Sequence, residues 1–184
     1  TIGSTIIMLA LASSLFADNG KELKLASPDG THEIVFYQKQ VSPAVNELCY
    51  RVDYKSQPVV NESRAGLELD NRIWEMALGV RNLKQPACWM DNLEVDSVTY
   101  QPETNLTWQP LYGERSSVRD HYRAGTLCLS KKDNSGYRLN IEVRAYNEGV
   151  AFRYFFPEHP KAIFHKVVGD LTEYALPEIG RASC

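Results

Sequence analysis

The chain has 184 residues, which is enough for one domain with a real hydrophobic core. Hydrophobic residues make up 43% of it and charged residues 23%, the proportions of an ordinary globular protein. The formal net charge of -3 excludes the strongly basic balance that nucleic-acid binding usually needs, so no nucleic-acid partner is expected.

The amino-terminal segment, residues 1–17, has the pattern of a secretory signal peptide. An apolar run from Ile6 to Ala12 leads into small residues, and a polar stretch begins at Asp18. The run is too short to span a membrane comfortably, so we expect no membrane span after signal removal. The pattern therefore predicts an exported protein, either periplasmic or secreted. The alternatives are a buried amino-terminal strand or an uncleaved lipid anchor, although no Cys directly follows the run.

The chain contains four cysteines, Cys49, Cys88, Cys128 and Cys184. An exported protein could oxidise them to disulfides. None lies in a CxxC or Cys/His pair, so a zinc site is not expected. We favour the interpretation that Cys49 and Cys128 are small sheet residues and that no disulfide forms.

The first half of the chain predicts successive β-strands. Ser27–Gly30 is a turn sequence, because proline presets one dihedral angle and glycine accepts a positive one. Apolar and polar residues alternate from Leu48 to Tyr54, which buries one face of a strand and exposes the other. We predict strands at His32–Tyr37, Leu48–Tyr54, Val59–Val60 and Ala65–Leu69.

The stretch from Asp70 to Asn92 predicts a long, irregular connection. Its apolar residues have helical spacing in one place, but no cap and no sufficient length support a helix. These residues are Ile73, Met76, Ala77 and Val80. A strand is predicted to follow at Val95–Tyr100.

The clearest hairpins come late in the chain. A turn at Asp133–Gly136 separates strands predicted at Arg123–Lys131 and Tyr137–Ala145, and the loop at Asn147–Gly149 leads to a further strand at Val150–Phe156. Many short strands joined by turns favour an all-β antiparallel β-sandwich over an α/β fold.

Five blocks of this sequence resemble the amino-terminal domain of glycoside hydrolase family 97, in the family's order. Any one block is weak evidence, but five in order over some 130 residues make a specific match. The blocks are Ser27–Gly30, Ser63–Leu69, Trp108–Glu114, Val118–Tyr122 and Arg144–Tyr154.

The resemblance implies a fold and a role. Family members are mostly bacterial α-glucosidases and α-galactosidases, in which an amino-terminal β-sandwich of the supersandwich type packs on a catalytic (β/α)8 barrel. The implied partners of this chain are that barrel, within the same parent chain, and α-linked glycans. The family often has Asn where this chain has Asp120, a small departure.

The resemblance also implies what the chain lacks. The family's catalytic carboxylates belong to the barrel, so no catalytic residue and no metal ligand is assigned, and the chain alone is predicted to be inactive. Calcium assists the α-glucosidase branch and is expected only in the full-length parent. Residues 18–178 are predicted to be an incomplete sandwich domain, and residues 179–184 a foreign or artefactual tail.

Four residues are candidates for contact with the substrate or with the barrel. The resemblance implies that Glu114, Arg119 and His121 face the barrel near the sugar pocket. We favour the alternative that Glu114 and Arg119 form a structural ion pair and that His121 is a satisfied sheet histidine. Trp108 could stack on sugar, as could Trp74 and Trp89, but packing in the core or at a domain interface is the preferred role for each.

Three functions remain open at this point. The leading one is the non-catalytic amino-terminal domain of an exported family 97 α-glycosidase. The second is a stand-alone carbohydrate-binding β-sandwich with an exposed row of aromatic residues. The third is a structural sandwich domain without a ligand.

Overall fold

The computed structural model describes residues 21–70, 79, 90–131, 136–159 and 165–177. Several predictions fall outside these residues: the signal peptide at 1–17, most of the irregular connection, the turn residues 133–135, the tail at 179–184, and Cys88, Cys184, Trp74 and Trp89. Within the described ranges, no helix is long and apolar enough to cross a membrane.

The described residues form ten β-strands and no helix, and every strand pair is antiparallel. This confirms the predicted all-β antiparallel sandwich. The strands are β1 Leu23–Ala26, β2 His32–Ser42, β3 Val45–Tyr54, β4 Gln57–Arg64, β5 Leu67–Leu69, β6 Leu93–Trp108, β7 Val118–Lys131, β8 Arg138–Tyr146, β9 Gly149–Phe155 and β10 Val167–Asp170.

Two four-stranded sheets form the layers of the sandwich. The first sheet has the order β1-β2-β3-β4 and the second has the order β6-β7-β8-β9, while β5 and β10 form a separate pair. Each strand of the two sheets follows its neighbour along the chain, so the sheets are meanders. Their inward side chains meet in one core, which includes Ile34, Phe36, Leu48, Leu127, Leu139 and Ile141.

The turn between β3 and β4 shows how the local sequence sets the register. Tyr54 pairs with Gln57, so Lys55 and Ser56 form a two-residue hairpin loop. Their φ angles of 49° and 63° are both positive, as a type I′ turn requires. This turn joins the strands that the sequence predicts at Leu48–Tyr54 and Val59–Val60.

The segment from residue 165 to residue 177 covers the edge of the first sheet. It begins as β10 against β5. Leu171 N then donates to Gly66 O at 3.0 Å, between β5 and β4, and Glu173 N donates to Arg64 O of β4 at 2.9 Å. A Cβ atom on Gly66 would lie 2.9 Å from Leu171 Cβ, so glycine permits this close approach.

Both described cysteines lie on strands, as predicted. Cys49 on β3 is buried, Cys128 on β7 is half-buried, and both are free thiols. Burial raises the pKa of the Cys49 thiol to about 11, so this thiol is an inert core residue.

Candidate docking site on the β6–β7 hairpin

Strands β6 and β7 extend beyond the rest of the second sheet. Pairing between β7 and β8 ends at Tyr122 and Tyr146, but pairing between β6 and β7 continues to Trp108 and Val118. Residues 104–122 therefore form a two-stranded arm that projects past β8, with an exposed loop at its tip. The four candidate residues all lie on this arm.

The register of the arm gives it two different faces, because paired residues of antiparallel strands share a face. One face is polar, and it pairs Asn105 with His121 and Thr107 with Arg119. The other face is mainly apolar. Its pairs are Thr104 with Tyr122, Leu106 with Asp120, and Trp108 with Val118.

The apolar face is open to solvent. Leu106 is 63% exposed and Trp108 is 53% exposed, and in the tip loop Leu111 and Tyr112 are 100% and 90% exposed. Single exposed apolar residues are common, but four large ones within the seven residues from Leu106 to Tyr112 favour an association surface. We call these four residues the apolar patch.

The apolar face is anchored to the second sheet at its base. The Tyr122 ring lies 5.2 Å from the Tyr146 ring, and the Arg144 guanidinium lies 4.4 Å above the Tyr122 ring. Arg144 Nη1 donates to the Tyr146 hydroxyl at 3.4 Å, and this hydrogen bond raises the pKa of the guanidinium. Aromatic and cation–π contacts of this kind stabilise the base of the arm.

The polar face is held by an ion-pair cluster at its base. Glu103 accepts from Arg123 Nε at 3.0 Å and lies 2.7 Å from His121 Nε2. The hydrogen bonds from His121 and Arg123 lower the pKa of the Glu103 carboxyl. Arg123 Nη1 also donates to Ser27 O at 3.3 Å, which ties the cluster to the turn before β2.

The structure brings the four predicted residues onto one arm but not to one point. Trp108 lies on the apolar face, Arg119 and His121 lie on the polar face, and Glu114 is exposed in the tip loop. The favoured ion pair between Glu114 and Arg119 is wrong, because Arg119 Nε donates to Asn105 Oδ1 at 3.0 Å instead. His121 is only half satisfied as a sheet histidine, since its buried Nδ1 has no hydrogen-bond partner.

The sequence interpretation missed Leu106, Leu111 and Tyr112. The alternation of Leu106 and Trp108 with polar neighbours could have revealed a strand with an apolar face. The exposure of that face could not be read from the sequence, because it depends on which face of the second sheet packs against the first.

The described residues offer no metal centre. Among them, no group of three or more His, Cys, Asp or Glu side chains could hold a metal ion. What the arm offers is an apolar patch and a set of polar side chains, an arrangement suited to binding a macromolecular surface.

Comparison with known proteins agrees with this fold. Residues 25–183 match the family described as Glycosyl-hydrolase 97 N-terminal. A curated relative, the retaining alpha-galactosidase of Bacteroides thetaiotaomicron, is 27% identical over 179 residues, which is 97% of this chain but 22% of the relative.

Solved structures give the same result. A glycoside hydrolase family 97 enzyme from Pseudoalteromonas sp. strain K8, in complex with panose, matches with a TM-score of 0.66 and 27% identity over 84% of this chain. The same enzyme in complex with acarbose matches equally well. A beta-arabinopyranosidase has a TM-score of 0.66 at 18% identity, a likeness of fold alone. The chain spans about a fifth of the length of these relatives.

Proposed function

The chain belongs to glycoside hydrolase family 97, as an amino-terminal domain of that family, and we propose that it is the non-catalytic docking domain of an exported α-glycosidase. Its partner is the catalytic barrel of the same polypeptide. We call the longer polypeptide the full-length enzyme.

The exposed apolar patch carries this proposal. In the relatives, about four-fifths of the polypeptide lies outside the part that this chain matches, so a large covalently attached partner is available in such enzymes. We propose that Leu106, Trp108, Leu111 and Tyr112 pack against the catalytic part. Large aromatic and aliphatic side chains that project from a rigid element are typical anchors of such an interface.

The polar side of the arm supplies the second part of the interface. Arg119 and Glu114 are exposed, and His121 is held in place by Glu103. We propose that these residues contact the catalytic part close to the sugar pocket. Ordered polar groups beside an apolar anchor give an interface its orientation more than its affinity.

The proposed substrates of the full-length enzyme are α-linked glycans. The names of the relatives support this class, since one is a retaining alpha-galactosidase and another was solved with panose and with acarbose. As the family resemblance implies, we propose that any calcium ion of the full-length enzyme belongs to its catalytic part.

Hydrolysis assays test the non-catalytic role. The 184-residue chain and the full-length enzyme are each incubated with nitrophenyl α-glucoside and nitrophenyl α-galactoside. We expect turnover of at least one substrate by the full-length enzyme and none by the chain alone. Glycoside hydrolysis needs a pair of carboxyl groups around the glycosidic bond, and we assign that pair to the catalytic part. Turnover by the chain alone would contradict the proposal.

Calorimetric titration of the chain alone separates the docking role from that of a carbohydrate-binding module. We expect no saturable heat with maltose, since the docking surface is built for protein. Heat that saturates at millimolar maltose would instead favour the binding module.

A further inference from the structure

The apolar face of the arm continues onto the outer face of the second sheet. Tyr122, at the base of the arm, pairs with Tyr146 of β8. The residues of β8 that face the core include Ile141 and Val143, which are buried. Because neighbouring residues of a strand point to opposite faces, Tyr146 and Arg144 point away from the core. Arg144 therefore lies on the same face as the apolar patch.

Arg144 is exposed, but contacts with two tyrosines hold its side chain. Arg144 pairs with Ala124 of β7 and Ala151 of β9, so small side chains flank it on both neighbouring strands. The guanidinium lies 4.4 Å from the centre of the Tyr122 ring, and Nη1 donates to the Tyr146 hydroxyl at 3.4 Å. These contacts restrict the rotamers of a long side chain, so less side-chain entropy is lost when a partner binds it.

Within the residues that the structure describes, Arg144 makes no ion pair. A guanidinium has several N–H donors, and the hydroxyl of Tyr146 accepts one of them. Asp120 on the arm attracts the guanidinium only through a longer-range interaction between the charges. Arg153 on the adjacent strand differs, because its Nε and Nη2 both lie 2.6 Å from Glu142 Oε2. Arg144 thus keeps the donors that a carboxylate accepts.

A small cavity lies beside Arg144 on this face. Its volume is about 270 Å³, and its lining includes Glu142, Tyr146, Ala151 and Arg153 as well as Arg144. Ordinary ligand pockets measure roughly 300–1,000 Å³, so this cavity suits one side chain better than a sugar chain. Because Arg153 balances the charge of Glu142, the charge of Arg144 makes the cavity positive.

We propose that Arg144 binds an aspartate or glutamate carboxylate of the catalytic part. The inference rests on the proposed function, because it needs the catalytic part to cover the apolar patch. The rows of Leu106 and Arg144 lie about 13 Å apart, at about 3.3 Å per residue, so one interface between domains can include both.

The charge of Arg144 determines the chemistry of its partner. A charge that is covered by another domain is costly unless an opposite charge pairs with it. A carboxylate can accept two parallel hydrogen bonds from a guanidinium, and this geometry fixes the direction of approach. Arg144 would thus orient the interface that the apolar patch stabilises.

Carbodiimide cross-linking of the full-length enzyme tests the inference. Arg144→Lys keeps the positive charge and supplies an amine, which carbodiimide joins to a carboxylate in contact with it. Arg138→Lys is the matched control, because Arg138 is exposed on the same face of the same strand, at the end away from the arm. Mass spectrometry of the digested enzyme identifies the joined residues. We expect the amine at position 144 to be joined to an acidic residue of the catalytic part, and the control amine not to be.

Other cross-links would overturn the inference. A link from position 144 only to Asp120 or Glu142 would show that its partner lies within the chain. Equal links from positions 144 and 138 to the catalytic part would show that the contact is not specific. A link between two enzyme molecules, seen as a covalent dimer, would assign Arg144 to self-association. The absence of any link in a folded enzyme also counts against the inference.

Arginine labelling gives a second readout without a substitution. Phenylglyoxal modification is followed in the chain alone and in the full-length enzyme. We expect Arg144 to react at least about tenfold more slowly in the full-length enzyme, and Arg138 to react equally in both. Equal reactivity of Arg144 in the two proteins would overturn the inference.

Arg119 on the polar side of the arm reports separately on the proposed function. Slow labelling of Arg119 with unchanged labelling of Arg144 leaves the docking role intact and overturns the inference. Slow labelling of Arg144 with unchanged labelling of Arg119 supports the inference and contradicts the proposed contact of the polar side.

Discussion

The inner and outer halves of the β6–β7 hairpin contain similar side chains in different surroundings. In the inner half, Leu127 and Leu129 of β7 are fully buried against the first sheet. In the arm, Leu106 and Trp108 alternate in the same way but remain more than half exposed. The comparison teaches that one pair of strands has two roles. The inner half packs in the hydrophobic core, and the arm exposes an apolar surface that is available to a partner.

The largest expected effect comes from a substitution in the buried core of the sandwich. Ile141→Ala removes a fully buried side chain from β8, and we expect the free energy of unfolding of the chain to fall by about 2–5 kcal/mol. Leu106→Ala on the arm is the matched substitution, with an expected change within about 0.5 kcal/mol. Urea unfolding of both variants measures the difference. Equal losses of unfolding free energy would contradict the distinction between the buried core and the exposed arm.

The second prediction concerns the arm in the full-length enzyme. Trp108→Ala removes an anchor of the proposed interface, and we expect the catalytic part to lose about 2 kcal/mol of stabilisation, seen as a lower melting temperature. The same substitution in the chain alone should leave its melting temperature nearly unchanged.

A control for the arm is available on the β2–β3 hairpin. Val41 is 56% exposed, close to the exposure of Trp108, but it lies outside the arm. Val41→Ala should leave the melting temperature of the full-length enzyme unchanged. If it lowers that temperature as much as Trp108→Ala does, the arm is not a specific docking surface.

The third prediction concerns the segment that closes the first sheet. Gly66→Ala forces a Cβ atom to within 2.9 Å of Leu171 Cβ and 3.0 Å of the Leu171 carbonyl oxygen, so the backbone must shift. We expect a loss of about 1–3 kcal/mol in unfolding free energy. Faster amide exchange confined to the segment 165–177 would show the cause, and unchanged stability would argue against the close contact.

The smallest expected effect is a pH dependence of stability at the turn before β2, which Arg123 links to the base of the arm. Hydrogen bonds from the Ser27 hydroxyl and the Thr31 amide lower the pKa of Asp29 from 3.8 to about 2. Because the pKa of Asp29 is lower in the folded chain than in the unfolded chain, the ionised carboxylate stabilises the fold. The contribution is fully present at pH values above the ordinary pKa of 3.8 and is lost as the pH falls through about 2. Asp29→Asn should flatten the stability profile between these two pH values, and an unchanged profile would contradict the assignment.

The strands that could be predicted from the sequence are those in which apolar and polar residues alternate and the apolar face is buried in the core. β8 alternates cleanly, while on β3 Cys49 is buried together with its neighbours Leu48 and Tyr50; both strands lie close to their predicted bounds. β6 extends past its predicted end at Tyr100 to Trp108. The sequence did not predict this extension, because Pro102 and the polar residues after it are not typical of a strand. The register of β6 shifts between Gln101 and Thr104, which accommodates a proline that cannot donate a backbone hydrogen bond.

Other features were beyond sequence reasoning because they join distant parts of the chain. β10 pairs with β5, which lies about a hundred residues earlier, and its four residues carry no clear alternation. The partner of Arg119 was predicted wrongly for a related reason. Nearness in the sequence favoured Glu114, whereas the strand register brings Asn105 to the guanidinium. The arm itself follows from the different lengths of three strands.

A crystal structure of the full-length enzyme tests the central claim most directly. The account predicts that Leu106, Trp108, Leu111 and Tyr112 lose most of their exposure against the catalytic part, in an interface of the size seen between domains of one chain. An arm that stays in solvent, with the catalytic part seated on a different surface of the sandwich, would contradict it.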